Sequence, residues 1–166
     1  MSNLKKKPPR RGTYTLTIYV PEERTIKIGG LGVRKFKAGY YLYTGSAMGR
    51  GSTSLDGRIS RHLRNEKSLR WHIDYLLAER DIIIKSIVMI ESEKRLECKV
   101  NSMLRNELDA EIIPKFGSSD CKGRCGSHLI YAGKSDPTNK VGRVYGKIDG
   151  SKPIILKVKE TMKLFV

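Results

Sequence analysis

Arg58 and His62 stand one helical turn apart, each one residue ahead of an apolar position, Ile59 and Leu63. Helical spacing puts both on one edge of an apolar stripe, whereas Arg61 and Arg64 face water. A cation at a core boundary needs an acidic partner or an anionic ligand. Arg58 therefore either pairs with an internal carboxylate or is available to a phosphate. Glu97 has the opposite sign and a similar placement. It follows Leu96 and falls near Leu104 and Leu108, inside the apolar arc of its helix. A carboxylate there is costly unless it is paired or binds a cation. It could bridge Arg58, or it could hold a divalent metal at a phosphate.

Cys121, Cys125 and His128 form a C-x3-C-x2-H cluster. Zinc needs four ligands, and only Asp120 or some distant residue could complete the set. With the third cysteine, Cys98, the count is odd and sparse, which argues against a disulfide framework and fits a reducing cytoplasm. Cys121 and Cys125 are expected to form no disulfide and to hold no zinc, and to be small buried side chains instead. In the run Trp71-His72-Ile73-Asp74-Tyr75, His72 and Asp74 are two apart and cannot meet on a helix. They read as supports that pin a neighbouring loop or border a site. Gly133-Lys134-Ser135 resembles the end of a P-loop, but His128 stands where the first glycine is required. The glycine-rich run Gly45–Gly51 could present backbone N–H groups to one phosphate. Gly45, Ser46 and Arg50 are its candidate contacts, with Arg61 and Arg64 nearby.

These side chains must be positioned by a sheet and helices. Thr13–Val20 alternates as a strand: Tyr14, Leu16, Ile18 and Val20 share one face, and three threonines share the other with Tyr19. Thr25–Ile28 and Gly39–Gly45 follow as strands with short turns, which favours an antiparallel meander. Leu55, Ile59 and Leu63 mark a first helix, and Leu69–Glu79 a second. Ile82–Ile90 is a β-branched strand. Glu93–Ala110 is the longest helix, with Ser92 as its N-cap. His128–Ala132, Arg143–Ile148 and Ile154–Lys159 are further strand candidates. The class is α+β, a small antiparallel or mixed sheet flanked by helices.

The chain has 166 residues, of which 39% are hydrophobic and 7% aromatic, a foldable globular composition. Its 33 Lys+Arg against 17 Asp+Glu give +16, which excludes an acidic interaction domain. Five of those bases and no acids lie in the first eleven positions, leaving +11 on the rest. Such a field attracts polyanions, nucleic acid above all. No apolar run is long enough to span a membrane, and no secretory leader is visible.

The ordered set Gly12-Thr13-Tyr14, Tyr43-Thr44-Gly45, Arg58 and Glu97 resembles a GIY-YIG nuclease domain. More closely, the segments LYTGSAMGRG, RISRHL, RWHIDYLL, LECKV and FGSSDC…SHLIY are similar to a poorly characterised prokaryotic branch of that superfamily. Its members stand alone or are joined to an endonuclease III-like repair domain. The resemblance implies a GIY-YIG-like domain over residues 12–132; before it, the basic run with paired prolines reads as a disordered arm (1–11), and after it the strand candidates read as a β-rich extension packed on the domain (133–166). Two departures are visible. Both motifs carry Thr in place of Ile, and the interval from Tyr43 to Arg58 is lengthened by the loop Gly45–Ser54.

The resemblance implies a Mg2+- or Mn2+-dependent endonuclease acting on DNA, in repair or recombination and with a repair protein as partner. Glu97 would hold the metal. Tyr14 would act on the attacking water, with Tyr43 nearby, Arg58 on the scissile phosphate and His62 assisting. A tyrosine base must titrate below its usual value of about 10, which a neighbouring Arg and metal would favour. These five residues are expected to converge on one surface cleft. The alternative is a catalytically weak nucleic-acid-binding module on the same fold.

Overall fold

The computed structural model describes residues 10–118, 121, 123, 125–148 and 152–159. Its frame is strand β1 (Gly12–Val20), which pairs antiparallel on one side with β4 (Gly39–Ala47) and on the other with β5 (Ile83–Glu91). Between β1 and β4 lies a separate hairpin of β2 (Arg24–Lys27) and β3 (Val33–Phe36). The sequence gives only the first of these strands; residues 29–32 between them make a tight turn in which Ile28 bonds Gly32 at 2.9 Å. With β6 (Glu111–Ile112), β7 (Leu129–Gly133) and β8 (Ile154–Lys157) the main sheet has the order β6-β7-β4-β1-β5-β8. Every pairing is antiparallel, so the sheet is not mixed. The chain is thus α+β, a six-stranded antiparallel sheet flanked by helices.

Alternation along β1 assigns the two faces. Tyr14, Leu16, Ile18 and Val20 are buried against α1 (Leu55–Leu63) and α2 (His72–Leu77). On the opposite face α3 (Glu97–Leu108) and α4 (Thr138–Gly146) pack Val100, Leu104, Val141 and Val144 onto Leu42, Val88 and Ile130. The threonine face of β1 is therefore also interior. Two of its three threonine hydroxyls find partners there: Thr15 meets Thr44 at 2.9 Å and the Tyr145 hydroxyl at 2.8 Å, and Thr13 meets Ser46 at 3.2 Å, whereas Thr17 Oγ1 is buried without one. Buried hydroxyls that bond one another cost little of their hydration.

α1 begins where expected. Ser54 caps it, accepting from the Gly57 N–H at 3.1 Å, with Asp56 in the first turn. Other boundaries differ. α2 starts only after Trp71, whose N–H donates to Asp74 at 2.8 Å. α3 starts at Glu97 rather than Glu93, because Ser92 closes a turn on Lys94 instead of capping the helix. Arg143–Ile148 is not a strand: it falls largely within α4, whose buried Val141, Val144 and Tyr145 follow helical spacing. β8 does form, and it joins the main sheet beside β5.

Arg10 and Arg11, expected within the disordered arm, are held against the folded domain. The Arg10 carbonyl accepts from the Leu55 N–H at 2.9 Å and its guanidinium grips Asp56 through two nitrogens, while Arg11 reaches Glu93 at 3.4 Å. Residues 1–9 lie outside the described part. Among the described residues no helix is long and apolar enough to cross a membrane.

Candidate functional site

Tyr14 of β1 lies directly opposite Gly45 of β4. A Cβ at Gly45 would come within 2.7 Å of the Tyr14 hydroxyl, and a Cβ at Gly12 within 1.8 Å of the Ile90 carbonyl oxygen. Side chains are excluded at both glycines, and at Gly45 the space is taken by the phenol itself. The Tyr14 hydroxyl shares a 2.8 Å hydrogen bond with His62 Nε2 and also bonds the Arg58 side chain. The Tyr43 ring meets the His62 ring edge-on at 5.9 Å. Trp71 closes the group, 6.1 Å from His62 and 5.0 Å from the Arg58 guanidinium.

Tyr14, Tyr43, Arg58 and His62 therefore gather on the α1 face of the sheet. They form an interior cluster rather than the walls of a cleft: Tyr14 is 1%, His62 0% and Tyr43 8% exposed. A cavity of about 860 Å³ lies elsewhere, lined in part by Tyr19, Leu77, Ile84 and Val158. Burial also decides the ionisation. It pushes the Tyr14 phenol up, the neighbouring Tyr43 adding to this, and Arg58 opposes it without prevailing. Tyr43 is pushed up to about 12 by burial, again against Arg58. The lowered tyrosine expected from the sequence is therefore not found; desolvation of the phenolate outweighs one guanidinium. His62 is pushed down to about 3 by burial, with Lys67 adding to the effect, so its ring is neutral.

The internal carboxylate that could have neutralised Arg58 goes to its neighbour. Arg61 does not face water. It binds fully buried Asp74 through two contacts of 2.6 and 2.9 Å and lies 4.3 Å from the Trp71 ring centre. Burial alone would raise the Asp74 carboxyl, but Arg61 and the N–H groups of Trp71 and Arg70 hold it low. Among the described residues no acid pairs with Arg58, and its Nε is buried without a hydrogen-bond partner. His62 Nδ1 is likewise buried without one. His72 accepts from the Gly117 N–H at 2.9 Å and so pins the loop ahead of β7. Arg50 and Arg64 are exposed.

Glu97 approaches from the other face of the sheet. Its carboxylate accepts a hydrogen bond from Ser46, the residue after Gly45, and lies 4.0 Å from exposed Arg95. Ser46 is only 6% exposed, and its hydroxyl is engaged by Glu97 and Thr13. The carboxylate side chain retains 16% exposure and acts electrostatically on Tyr43, as Arg58 does. The two halves of the site thus flank the end of β4.

The family model for a domain of unknown function, DUF123, matches residues 13–149. The chain belongs to the DUF123 family. No curated protein and no solved structure gives a significant match. The DUF123 match includes Tyr14, Arg58, His62 and Glu97, and it runs beyond Ala132 through α4.

The same match includes a set of residues that the sequence does not assemble. Cys98, Cys121, Cys125 and His128 bring three sulfurs and a ring nitrogen within 4.8 Å of one another. The ligand missing beside Cys121, Cys125 and His128 is supplied by Cys98, from the first turn of α3; Asp120 lies outside the described residues. The one signal available was that the third cysteine directly follows Glu97.

Proposed function

We propose that this DUF123 protein hydrolyses phosphodiester bonds in nucleic acid, DNA in preference to RNA, with Mg2+ or Mn2+ held at Glu97 on a GIY-YIG-like scaffold. The observation that carries this reading is Arg58, a partly exposed guanidinium with no acidic partner among the described residues, one turn before His62 and beside Tyr14. Arg58 Nε and His62 Nδ1 are themselves buried, and of the two residues only Arg58 is partly exposed, so Arg58 is the one that a ligand can reach. In a chain of charge +16, a phosphate is the acceptor that suits a planar guanidinium.

Glu97 offers one carboxylate, and Mg2+ is commonly held by one or two carboxylates with substrate phosphate oxygens completing the shell. The residues therefore fit the ion, which when bound would supply a water acidic enough to attack. The chain's own groups do the rest. Ser46 orients Glu97, Arg58 receives the phosphate and withdraws charge from it, and Tyr14 keeps its proton and fixes the His62 ring. Arg50 and Arg64 hold flanking phosphates. The setting is the cytoplasm, in DNA repair or recombination beside a repair protein. The burial of Tyr14 and His62 favours the second reading, a nucleic-acid-binding module that cleaves nothing.

The test is a panel of labelled DNA and RNA duplexes, flaps and junctions in Mg2+, Mn2+ or chelator. Wild type should cleave in metal. Glu97→Gln should lose cleavage and keep binding, because only the charge that holds the cation is removed. Arg58→Ala should lose about a hundredfold or more in rate, together with some affinity. Binding without cleavage of any substrate selects the second reading, and cleavage undiminished in Glu97→Gln rejects the site.

A further inference from the structure

We infer that Cys98, Cys121, Cys125 and His128 bind one structural Zn2+, which fastens the loop ahead of β7 to the first turn of α3. Sγ of Cys98 lies 3.2 Å from that of Cys121 and 2.8 Å from that of Cys125, and the last two are 3.5 Å apart. His128 Nε2 is 3.8 Å from the Cys98 sulfur. A disulfide needs about 2.05 Å, so none of these pairs is bonded, yet all three sulfurs crowd one point. Donors at about 2.0–2.3 Å from a tetrahedral zinc stand roughly 3.3–3.8 Å from one another. The three sulfurs, 2.8–3.5 Å apart, stand closer than that and would spread by up to about 1 Å around an ion, while the donor set has the Cys3His composition of closed structural zinc sites.

The surroundings are built for this set. A Cβ at Gly123 would lie 2.8 Å from the Cys98 sulfur, so the loop passes over that sulfur where a side chain would block it. His128, just ahead of β7, is held by two backbone bonds: its N–H donates to the Phe116 carbonyl at 2.8 Å, and its own carbonyl accepts from the Thr44 N–H of β4 at 3.0 Å. Asn101, one turn after Cys98, donates to the Ser127 carbonyl at 2.8 Å from a fully buried position. Cys121 donates its N–H to the Ser118 carbonyl at 3.0 Å. Ligands fixed by backbone bonds lose little freedom when the metal arrives.

Zinc is favoured over the ion proposed at Glu97 by donor chemistry. Thiolates and imidazole suit a borderline-soft cation, whereas Mg2+ takes oxygen ligands. Donors enclosed within 4.8 Å of one another have room for one ion and none for an iron–sulfur cluster. The site has no open position, so its role is to hold structure. It ties α3, which lies on one face of the sheet, to a loop that His72 and Phe116 pin on the other face. Cys98 is adjacent to Glu97, so the clamp also fixes the helical turn that carries that carboxylate.

The untagged full-length protein should contain one zinc per chain by elemental analysis, without added metal. After removal of zinc, Co2+ should give the intense visible d–d bands of a tetrahedral site and a near-ultraviolet thiolate-to-cobalt band. Cys98→Ser should lower zinc content to a fraction of one, weaken the thiolate band and reduce the melting temperature. Cobalt spectra of the wild type keep the test decisive even if that variant does not fold. Less than a tenth of an equivalent of zinc, an octahedral cobalt spectrum, or a native disulfide between any two of these cysteines would each overturn the site. None of these readings depends on nuclease activity, so a failure here and a failure of the proposed hydrolysis are told apart.

Discussion

Gly45 lies beneath the hydroxyl of Tyr14, directly across the β1–β4 ladder, at a point where a Cβ would be 2.7 Å from the phenolic oxygen. The first tyrosine motif and the second glycine motif are thus one steric unit. The glycine's missing side chain is the space in which the tyrosine reaches His62.

That relationship predicts the effect of Gly45→Ala. Overpacking of this kind costs about 1–3 kcal/mol, read from denaturant unfolding. In a Tyr14→Phe background the cost should shrink without vanishing, because a ring carbon remains within 2.9 Å. Equal cost in both backgrounds would place the clash elsewhere.

Stability should fall as pH drops from 6.5. An unfolded histidine titrates near 6.5, whereas buried His62 is pushed down to about 3. Between those values the unfolded chain takes up a proton that the folded chain refuses, so stability rises with pH across the window. The slope approaches about 1.4 kcal/mol per pH unit for one proton. Asp74, held low, adds loss of the same sign at more acid pH, where its carboxylate is protonated. His62→Gln should remove about one proton's worth of slope between pH 6.5 and 5. Denaturant melts across that range read it directly, and an unchanged slope would contradict a neutral buried ring.

Arg61 and Arg64 should separate into stability and affinity. Removing either partner of the Arg61–Asp74 pair strands a buried charge, which costs about 3–5 kcal/mol. Asp74→Ala and Arg61→Ala should therefore both melt far below wild type. Arg64→Ala, at an exposed position, should leave the melting temperature unchanged and weaken nucleic-acid binding.

Nucleic-acid binding should be steeply salt-dependent. Contact with about six phosphates of duplex DNA gives a slope near −5 in log K against log salt. Arg50→Ala and Arg64→Ala should each reduce the slope by about one. Deleting residues 1–9 should weaken binding without abolishing it, and the cut spares Arg10, which is docked on Asp56. Affinity that is flat with salt would remove the electrostatic account.

Sequence patterning carried the sheet centre and the first helix. Alternation in Thr13–Val20, the glycine bounds of Gly39–Gly45 and the four-residue step from Leu55 to Leu63 are local signals, readable within one element. Where a signal was cut short it misled. A window opened at Arg143 looks like a strand, and only with Val141 included does the helical spacing of α4 emerge. The edge position of Arg58 and His62 was also legible, since a helical wheel needs no neighbours.

Which arginine receives the carboxylate was not legible. Arg61 looked solvated until α2 brought Asp74 across to it, which freed Arg58. The burial that raises Tyr14 and lowers His62 likewise comes from α1 and Trp71 covering β1. Cys98 stands 23 residues from Cys121 in the chain, and no spacing rule joins them. Taken alone, then, the sequence determined charge, class, the central strands, the first helix and the order of the tyrosine, arginine and glutamate positions. Only the tertiary structure decided which charges are paired, which phenol stays protonated and which three cysteines and one histidine gather within 4.8 Å of one another. Patterns within an element follow from backbone geometry over a few residues, whereas partners across elements exist only once the sheet has set both faces.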